Sequence, residues 1–235
     1  MSSRNFQSLE GAMLTVAQRA SRQVRDGDVL GLGSGSAVAI FARALGGRVK
    51  KEKLRVSIVP SSLQAWGLAS ENGLAFASDS AHCPKVLDIA VDGADQVASR
   101  TRSMIKGGGG QLLREKIILS ASRRIFILVQ RAKVVERLGG PVPIEVMQFA
   151  IETARERLKR NFGAKADLRK LGKGYPYYTE SGNVILDAQF KEEVEDPRSL
   201  ETLLKSIPGV VEVGVFNCRV DKFFVGNQDG SVEAV

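Results

Sequence analysis

The sequence predicts an α/β protein: an open, mostly parallel sheet with helices on both faces, joined to a smaller α+β domain. Short apolar segments alternate with helical segments through the first half of the chain. A glycine- and proline-rich segment, residues 139–143, then interrupts the pattern, and the elements after it follow a β-α-β-β-α-β order. With 235 residues, 43% of them apolar, the chain is long enough for a main domain and a second, smaller one.

The first half of the chain alternates between two periodicities. Apolar residues at helical spacing between Leu9 and Val24 predict an N-terminal helix, and the apolar segments that follow have the length of buried parallel strands. The predicted strands are residues 29–32, 56–59, 86–91 and 125–129, and the predicted helices between them are residues 37–45, 63–71 and 111–120. Strands that alternate with helices in this way form a Rossmann-like sheet covered on both faces.

After residue 143, the order of the predicted strands and helices is different from that of the first half. Its predicted elements are strand 144–147, helix 149–162, an extended segment at 164–169, a strand pair within 177–190, helix 200–206, and strands 211–216 and 223–225. The run of elements up to the last strand resembles a ferredoxin-like module. We therefore predict a main α/β domain of residues 1–138 and 216–235, to which the last strand returns, and a ferredoxin-like α+β domain of residues 139–215.

The composition of the chain argues against several classes of function. The formal net charge is +8, but the basic residues are spread along the chain, and the densest basic stretch, residues 48–55, contains no aromatic residue. We expect that stretch to lie in a connection, and we expect neither a nucleic-acid partner nor a membrane partner. The cysteines, Cys83 and Cys218, are far apart, as in proteins of a reducing compartment, so we expect a cytoplasmic protein. The single histidine, His82, excludes an HExxH zinc site and lies in a proline-containing loop unsuited to a catalytic triad.

The first candidate site is the glycine-rich segment 31–36, at the end of the first strand. Gly33, Ser34, Gly35 and Ser36 precede a predicted helix, whose N-terminal N–H groups can bind an anion such as phosphate. Ligands of such sheets bind at the carboxyl ends of the strands. The segment matches neither the full dinucleotide fingerprint nor a P-loop. A tight turn needed for packing explains the glycines equally well.

Two aspartates follow the third predicted strand. Asp92 and Asp95 are separated by Gly93 and Ala94 and lie just beyond a buried segment. Two carboxylates in this position can hold sugar hydroxyls and move protons, or bind a divalent cation. An Asx turn that ends the strand is the structural alternative, and such a turn is compatible with a site.

A run of four glycines, residues 107–110, precedes the predicted helix 111–120. Such a run is unfavourable in backbone entropy, and a linker is unexpected inside a compact α/β pattern. We therefore expect its backbone amides to face a ligand, beside the positive charge of Lys106. Glu115 lies in the helix that follows, where an acid ordinarily faces solvent. Lys133 follows the strand 125–129 and is either a surface charge or a phosphate ligand.

All of these candidates follow the carboxyl end of a predicted strand, so we expect them on one edge of the parallel sheet. Their ordered motifs resemble ribose-5-phosphate isomerase of the A type over nearly the whole chain. The segments that carry the resemblance are 31–36, 92–95, 105–109, 114–117, 143–146, 182–187 and 207–210. The resemblance implies an aldose-ketose isomerase that interconverts ribose 5-phosphate and ribulose 5-phosphate through an enediolate, in the non-oxidative pentose phosphate pathway. It also implies a small sugar phosphate as ligand, no cofactor, no metal, and a homodimer or homotetramer.

The resemblance also implies roles for individual residues. Glu115 matches the catalytic base that carries a proton between C1 and C2. Asp92, Asp95 and Lys106 match residues that bind the sugar oxygens, assist ring opening and stabilise the enediolate. The implied substrate-binding residues are Gly33, Ser34, Gly35, Ser36 and Ala37 on the phosphate side, Gly93 and Ala94, Gly107, Gly108 and Gly109, and Lys133.

Five positions depart from the family's common pattern. Ala37 replaces a threonine and removes a hydroxyl from the phosphate side, and Glu10 stands where some bacterial members have a phosphate-binding lysine. Gln96 replaces an acid, while Gln130 and Ala132 replace the acid and serine often found at those positions. We therefore expect activity with weaker phosphate anchoring or a shifted preference among pentose phosphates.

Other function classes remain open. A non-catalytic sugar-phosphate-binding paralogue would use the same architecture, although the chain leaves no room for a helix-turn-helix before the first strand. An amino-sugar-phosphate deaminase or a CoA transferase would need a different set of residues. A nucleic-acid-binding role rests on charge alone.

Overall fold

The computed structural model describes residues 3–78 and 82–234, with side chains from residue 11 onward, so the side chains of Leu9 and Glu10 lie outside the described part. The chain folds into two compact units. The first comprises Met1–Ala94, Arg114–Lys133 and Arg219–Val235, and the second comprises Asp95–Leu113 and Val134–Cys218. The predicted ferredoxin-like segment, 139–215, falls within the second unit, which also contains residues 95–113. The division at residues 138 and 216 stays a prediction.

Both units are built from short strands and helices. The strands are β1 (Val29–Leu32), β2 (Ser57–Pro60), β3 (Ala75–Phe76), β4 (Ile89–Gly93), β5 (Gln96–Ala98), β6 (Met104–Ile105), β7 (Ile125–Gln130), β8 (Val134–Val135), β9 (Val142–Val146), β10 (Lys165–Leu168), β11 (Val184–Gln189), β12 (Val210–Val213), β13 (Val215–Phe216), β14 (Lys222–Gly226) and β15 (Val232–Ala234). The helices are α1 (Ser3–Ser21), α2 (Ser36–Glu52), α3 (Leu63–Glu71), α4 (Leu112–Ser120), α5 (Ile151–Phe162) and α6 (Pro197–Lys205). None of the described helices is long and apolar enough to cross a membrane.

The first unit contains a seven-stranded sheet in the order β15-β14-β7-β4-β1-β2-β3. Every neighbouring pair is parallel except β14 and β15, which are antiparallel. The strand order reverses between β1 and β4, so this pair forms the switch point at which open α/β sheets bind ligands. The sheet confirms the predicted open, mostly parallel, Rossmann-like arrangement, including the return of the last long strand to it.

Alternation along β1 divides the core of this unit into two layers. Leu30 and Leu32 are fully buried and pack with apolar residues of α1, α2 and α3 in one cluster. Gly31 faces the opposite side, where a Cβ atom would lie 2.3 Å from Cγ2 of Ile118 in α4. Helices therefore cover both faces of the sheet, as predicted.

The second unit contains an antiparallel sheet in the order β10-β11-β9-β12. Along the chain its elements follow the order β9-α5-β10-β11-α6-β12, which confirms the ferredoxin-like prediction. Ala154 and Leu158 of α5 and Leu204 of α6 are fully buried in the core that this sheet forms. A second small sheet, β13-β6-β5-β8, was not predicted, because its strands are only two or three residues long.

Several predicted boundaries were wrong. Helix α2 continues to Glu52 rather than ending at residue 45, so most of the basic stretch 48–55 is helical and is not a connection. The glycine at position 46 does not end the helix; a Cβ there would lie 2.5 Å from the carbonyl oxygen of Asn72. Strand β4 begins at Ile89, and Val86, predicted to be inside a buried strand, is 46% exposed. Of the predicted strand pair within 177–190, only β11 forms a strand, and it pairs with β9 and β10. The other half of the pair is reduced to an isolated antiparallel bridge between Tyr178 and Val184.

Candidate active site

The candidate residues form two groups, one in each unit, and each group is built around a strand end. The group in the first unit consists of Gly33, Ser34, Gly35, Ser36, Ala37, Asp92, Gly93, Ala94, Glu115 and Lys133. The group in the second unit consists of Asp95, Lys106, Gly107, Gly108 and Gly109. In the first unit, the segments that follow β1, β4 and β7 lie at the same edge of the parallel sheet, as the sequence predicted. The same expectation was wrong for Lys106 and the glycine run, which follow β6 of a small sheet in the second unit and not a strand of the parallel sheet.

Asp92 lies at the switch point between β1 and β4. Its side chain is buried, and Oδ1 accepts a hydrogen bond from the Gly93 N–H at 2.7 Å and a long one from the Ser34 N–H at 3.4 Å. The Gly33 N–H donates to the carbonyl of Val91 at 2.9 Å, which brings the loop against the carboxylate. A Cβ atom on Gly33 would lie 2.1 Å from Cγ of Asp92. The glycine is therefore required for the close approach of backbone and carboxylate.

Glu115 is buried in the first turn of α4, with 4% of the residue exposed. The Ser34 hydroxyl donates to its Oε1 atom at 2.6 Å, across 81 residues of chain. This burial excludes the interpretation of Glu115 as a solvent-facing helix acid. A carboxylate in the first turn of a helix also interacts favourably with the positive end of the helix dipole. The structure thus brings together the proposed base and a loop serine that the sequence placed only on the phosphate side.

The loop 33–37 leads directly into α2. Gly35 has a φ angle of +90°, which favours glycine, and its carbonyl accepts a hydrogen bond from the Ala39 N–H at 3.0 Å. The Gly35 N–H donates to Oε1 of Gln64, an exposed residue of α3, at 3.0 Å. Gln64 could not be nominated from the sequence, because an exposed helical glutamine carries no local signal. An N–H donor at the start of a 17-residue helix is suited to a phosphate.

Lys133 ends the short 3-10 turn that follows β7. Its Nζ atom donates to the carbonyl oxygen of Ala94 at 2.8 Å. The ammonium group is therefore held against the main chain just beyond β4, and it is not a fully solvated surface charge.

In the second unit, Asp95 and Lys106 lie on either side of the pairing between β5 and β6. The Asp95 N–H donates to the Ile105 carbonyl at 2.8 Å, and its Oδ2 atom accepts from the Gly108 N–H at 2.8 Å. Lys106 is 3% exposed, and its Nζ atom lies 5.6 Å from the ring centroid of Phe216, a cation–π distance. A buried ammonium group is a strong local source of positive charge.

The glycine loop, residues 107–110, is packed rather than extended. Gly107 and Gly110 have φ angles of +105° and +81°. A Cβ atom on Gly108 would lie 2.8 Å from Oδ1 of Asp95, and one on Gly110 would lie 2.3 Å from the hydroxyl oxygen of Tyr177. At three of these four positions, glycine is therefore needed for conformational or steric reasons, which excludes the interpretation of the run as a linker.

Tyr177 is a further residue at this loop that the sequence analysis missed. Its hydroxyl donates to the Gly109 carbonyl at 3.2 Å and accepts from Nε2 of Gln111 at 3.3 Å. Burial raises the pKa of Tyr177, so the hydroxyl stays protonated and able to donate at neutral pH. Within the described residues, no three His, Cys, Asp or Glu side chains are grouped so that they could hold a metal ion.

Comparison with known proteins identifies the family. A family model described as ribose 5-phosphate isomerase A (phosphoriboisomerase A) matches residues 57–230. This chain belongs to the ribose 5-phosphate isomerase A family. Among named relatives, the protein from Methanothermobacter thermautotrophicus is 41% identical over 216 residues, covering 91% of this chain and 93% of its own. The protein from Prochlorococcus marinus is 38% identical over 226 residues, covering 94% of each chain. Both are named ribose-5-phosphate isomerase A.

Solved structures of the family have the same fold. Ribose 5-phosphate isomerase A from Methanocaldococcus jannaschii is 37% identical, with a TM-score of 0.89, covering 96% of this chain and 98% of that one. A D-ribose-5-phosphate isomerase in complex with phospho-erythronic acid has the same identity, TM-score and coverage. Ribose 5-phosphate isomerase from Plasmodium falciparum is 28% identical, with a TM-score of 0.88, covering 95% of this chain and 97% of that one.

One departure from the common pattern of ribose 5-phosphate isomerase A has a structural explanation. Gln96 replaces an acid, and its Oε1 atom accepts a hydrogen bond from the Gly139 N–H at 2.9 Å. A Cβ atom on the next residue, Gly140, would lie 3.4 Å from Nε2 of Gln96. Gln96 therefore fixes the glycine-rich segment before β9 and is part of the packing of the second unit.

Proposed function

We propose that this chain interconverts D-ribose 5-phosphate and D-ribulose 5-phosphate, with Glu115 as the base. The observation that carries the proposal is the buried Glu115 carboxylate, hydrogen-bonded to Ser34 at the ligand-binding edge of the sheet, in a member of this family. The carboxylate removes the proton from C2 of the open-chain aldose, the electron pair forms the C1–C2 double bond of an enediolate, and the same proton returns to C1. A second proton moves between the two oxygens, so the ketose has the composition of the aldose.

We propose that the other residues of the two groups stabilise the charge of the enediolate and orient the bound sugar phosphate. We propose that Lys106 and the amides of the glycine loop stabilise the enediolate oxygen, since donors fixed before the reaction act most strongly where charge develops. Asp92 and Asp95 bind sugar hydroxyls and assist ring opening. The loop 33–37 and Lys133 hold the phosphate, which is supported by the N-terminus of α2 behind the loop.

The test is isomerase activity on ribose 5-phosphate with a chelator present, for the native chain and for Glu115→Gln. General base catalysis contributes about 10²–10⁴-fold, so kcat should fall by at least about 10²-fold in the variant. Glu71→Gln, at the exposed end of α3, is the matched control and should retain native activity. In deuterated water, deuterium should enter the product of the native chain at C1 in those turnovers in which the proton held by Glu115 exchanges with solvent before it is returned.

Each other outcome changes a different part of the proposal. A native rate at background would make the chain a non-catalytic sugar-phosphate-binding paralogue or an enzyme for another pentose phosphate. An active Glu115→Gln variant would remove Glu115 as base and leave the substrate assignment intact. Activity abolished by the chelator would contradict a metal-independent reaction.

We also propose that the enzyme is a homodimer or homotetramer, needs no metal and acts in the cytoplasm. The family resemblance supports the assembly and the metal independence, and two cysteines without a CxxC pair fit a reducing compartment. Light scattering of the purified chain gives the mass of the assembly, and a mass of 25.4 kDa would identify a monomer.

A further inference from the structure

One arginine, Arg169, binds the backbone carbonyls of the glycine loop. Nη1 of Arg169 donates to the carbonyl oxygens of Gly107 and Gly108 at 2.7 and 3.0 Å. The same guanidinium donates to both carboxylate oxygens of Asp187, from Nε at 2.9 Å and from Nη2 at 2.5 Å. Only 16% of the Arg169 side chain and 28% of the Asp187 side chain are exposed.

The sheet fixes this arginine in place. Asp187 lies inside β11, which pairs with both β9 and β10, and Arg169 follows the last residue of β10. The Arg169 N–H donates to the Ile185 carbonyl at 2.8 Å, so its backbone continues the pairing with β11. A bidentate arginine–carboxylate pair fixes direction as well as distance, because both groups are planar.

The direction of the loop amides follows from the planarity of the peptide bond. In a trans peptide, the carbonyl of one residue and the N–H of the next point in opposite directions. Because one nitrogen of Arg169 holds the carbonyls of Gly107 and Gly108, the N–H groups of Gly108 and Gly109 point away from it. The Gly108 N–H does reach Oδ2 of Asp95 on that far side. The Gly109 N–H is therefore directed to the side of the loop on which the Asp95 carboxylate lies.

We propose that Arg169, held by Asp187, is a positioning residue that directs the Gly109 N–H at an oxygen of the bound sugar phosphate. The inference rests on the proposed isomerase function and adds a residue to its oxyanion-stabilising machinery. Glycine has the greatest backbone freedom of any residue, so a glycine loop needs outside groups to keep one amide direction. Arg169 supplies that order through the carbonyls and touches no substrate itself.

The test compares Arg169→Met with Arg155→Met. Arg155 is an arginine of the same unit that also donates to a backbone carbonyl, Ala166 at 3.0 Å, and to a carboxylate, Glu152 at 2.5 Å. We expect kcat to fall about 10²-fold in Arg169→Met, with a smaller change in KM, as for loss of an oxyanion donor. Arg155→Met should stay within about twofold of the native kcat, because its partners lie in α5 and β10.

Two further variants and a ligand titration separate positioning from folding and from the function itself. Arg169→Lys keeps the charge without the planar fork, and Asp187→Asn weakens the pair, so each should lower kcat even if Arg169→Met does not fold. Native kcat in both would overturn the inference. Phospho-erythronic acid, added to chains labelled with ¹⁵N-glycine, should shift the Gly109 amide resonance in the native protein and in Arg155→Met but not in Arg169→Lys. A native Gly109 resonance that does not move at saturation would overturn the inference whether or not the chain isomerises ribose 5-phosphate.

Discussion

Replacing Gly33 by alanine tests the geometry at the switch point directly. The added Cβ would lie 2.1 Å from Cγ of Asp92, whereas ordinary contact begins at 3.4 Å, so the carboxylate must retreat by about 1.3 Å. Misplacement of a reacting group by about 1 Å can lower a rate about 10²-fold. We therefore expect kcat/KM to fall about 10²-fold, or about 2.7 kcal/mol of transition-state stabilisation. Overpacking should also lower the free energy of unfolding by about 1–3 kcal/mol.

The control for this substitution is Gly47→Ala. Gly47 lies inside α2, and a Cβ atom there would have nothing within 4 Å. Alanine is the better helix former by about 1 kcal/mol, so this variant should be slightly more stable and fully active. Steady-state kinetics on ribose 5-phosphate and urea unfolding of both variants make the comparison. If Gly33→Ala keeps kcat/KM within about twofold of native while Glu115→Gln is inactive, the position of Asp92 does not matter to the reaction and the argument from the close approach fails.

Two further predictions concern the second unit. Lys106→Met should lower kcat about 10²-fold by removing the buried positive charge. Lys50→Met, in the exposed last turn of α2, is the control and should keep the native kcat. Equal rates for the two variants would contradict the role of Lys106. Burial raises the pKa of Tyr177 above its usual value of 10.0, so the unfolded state ionises first. The contribution of Tyr177 to stability is therefore present below about pH 10 and is lost as pH rises through its raised pKa. Thermal midpoints should fall more steeply between about pH 9 and about pH 12 for the native chain than for Tyr177→Phe, and parallel curves would refute the burial argument.

The fold was predictable where one element carries its own pattern. The predicted bounds of β1 and α3 agree with the structure, because continuous apolar residues or a capped amphipathic stretch define them locally. Prediction failed where the role of a residue depends on a contact with a distant part of the chain. The glycine at position 46 indicates a helix end in sequence, yet it permits contact with Asn72 and the helix continues. Strands of two residues, such as β6 and β13, have no periodicity to detect and exist only through their pairing.

The candidate site was predictable to the extent that topology alone places its residues. A motif after a parallel strand must lie at the carboxyl edge of the sheet, which is how Asp92 and Lys133 could be nominated. Glu115 was a weaker candidate from its residues alone, since a helical acid is ordinarily exposed, and the resemblance to the isomerases supplied its role. Its burial and its hydrogen bond to Ser34 depend on a contact across 81 residues, which no local pattern records.

The glycine loop shows why the partners of a motif are harder to find than the motif. Four consecutive glycines are visible in the sequence, and they predict that backbone atoms face a ligand. Which way those atoms face is set by Arg169, 62 residues from Gly107 in the chain, and by Asp187, 18 residues further on. Each of those residues alone has the pattern of an ordinary charged residue at or near a strand end. Because a glycine has no side chain to fix its own orientation, the information that orients this loop has to reside elsewhere in the chain, and the structure locates it in the sheet of the second unit.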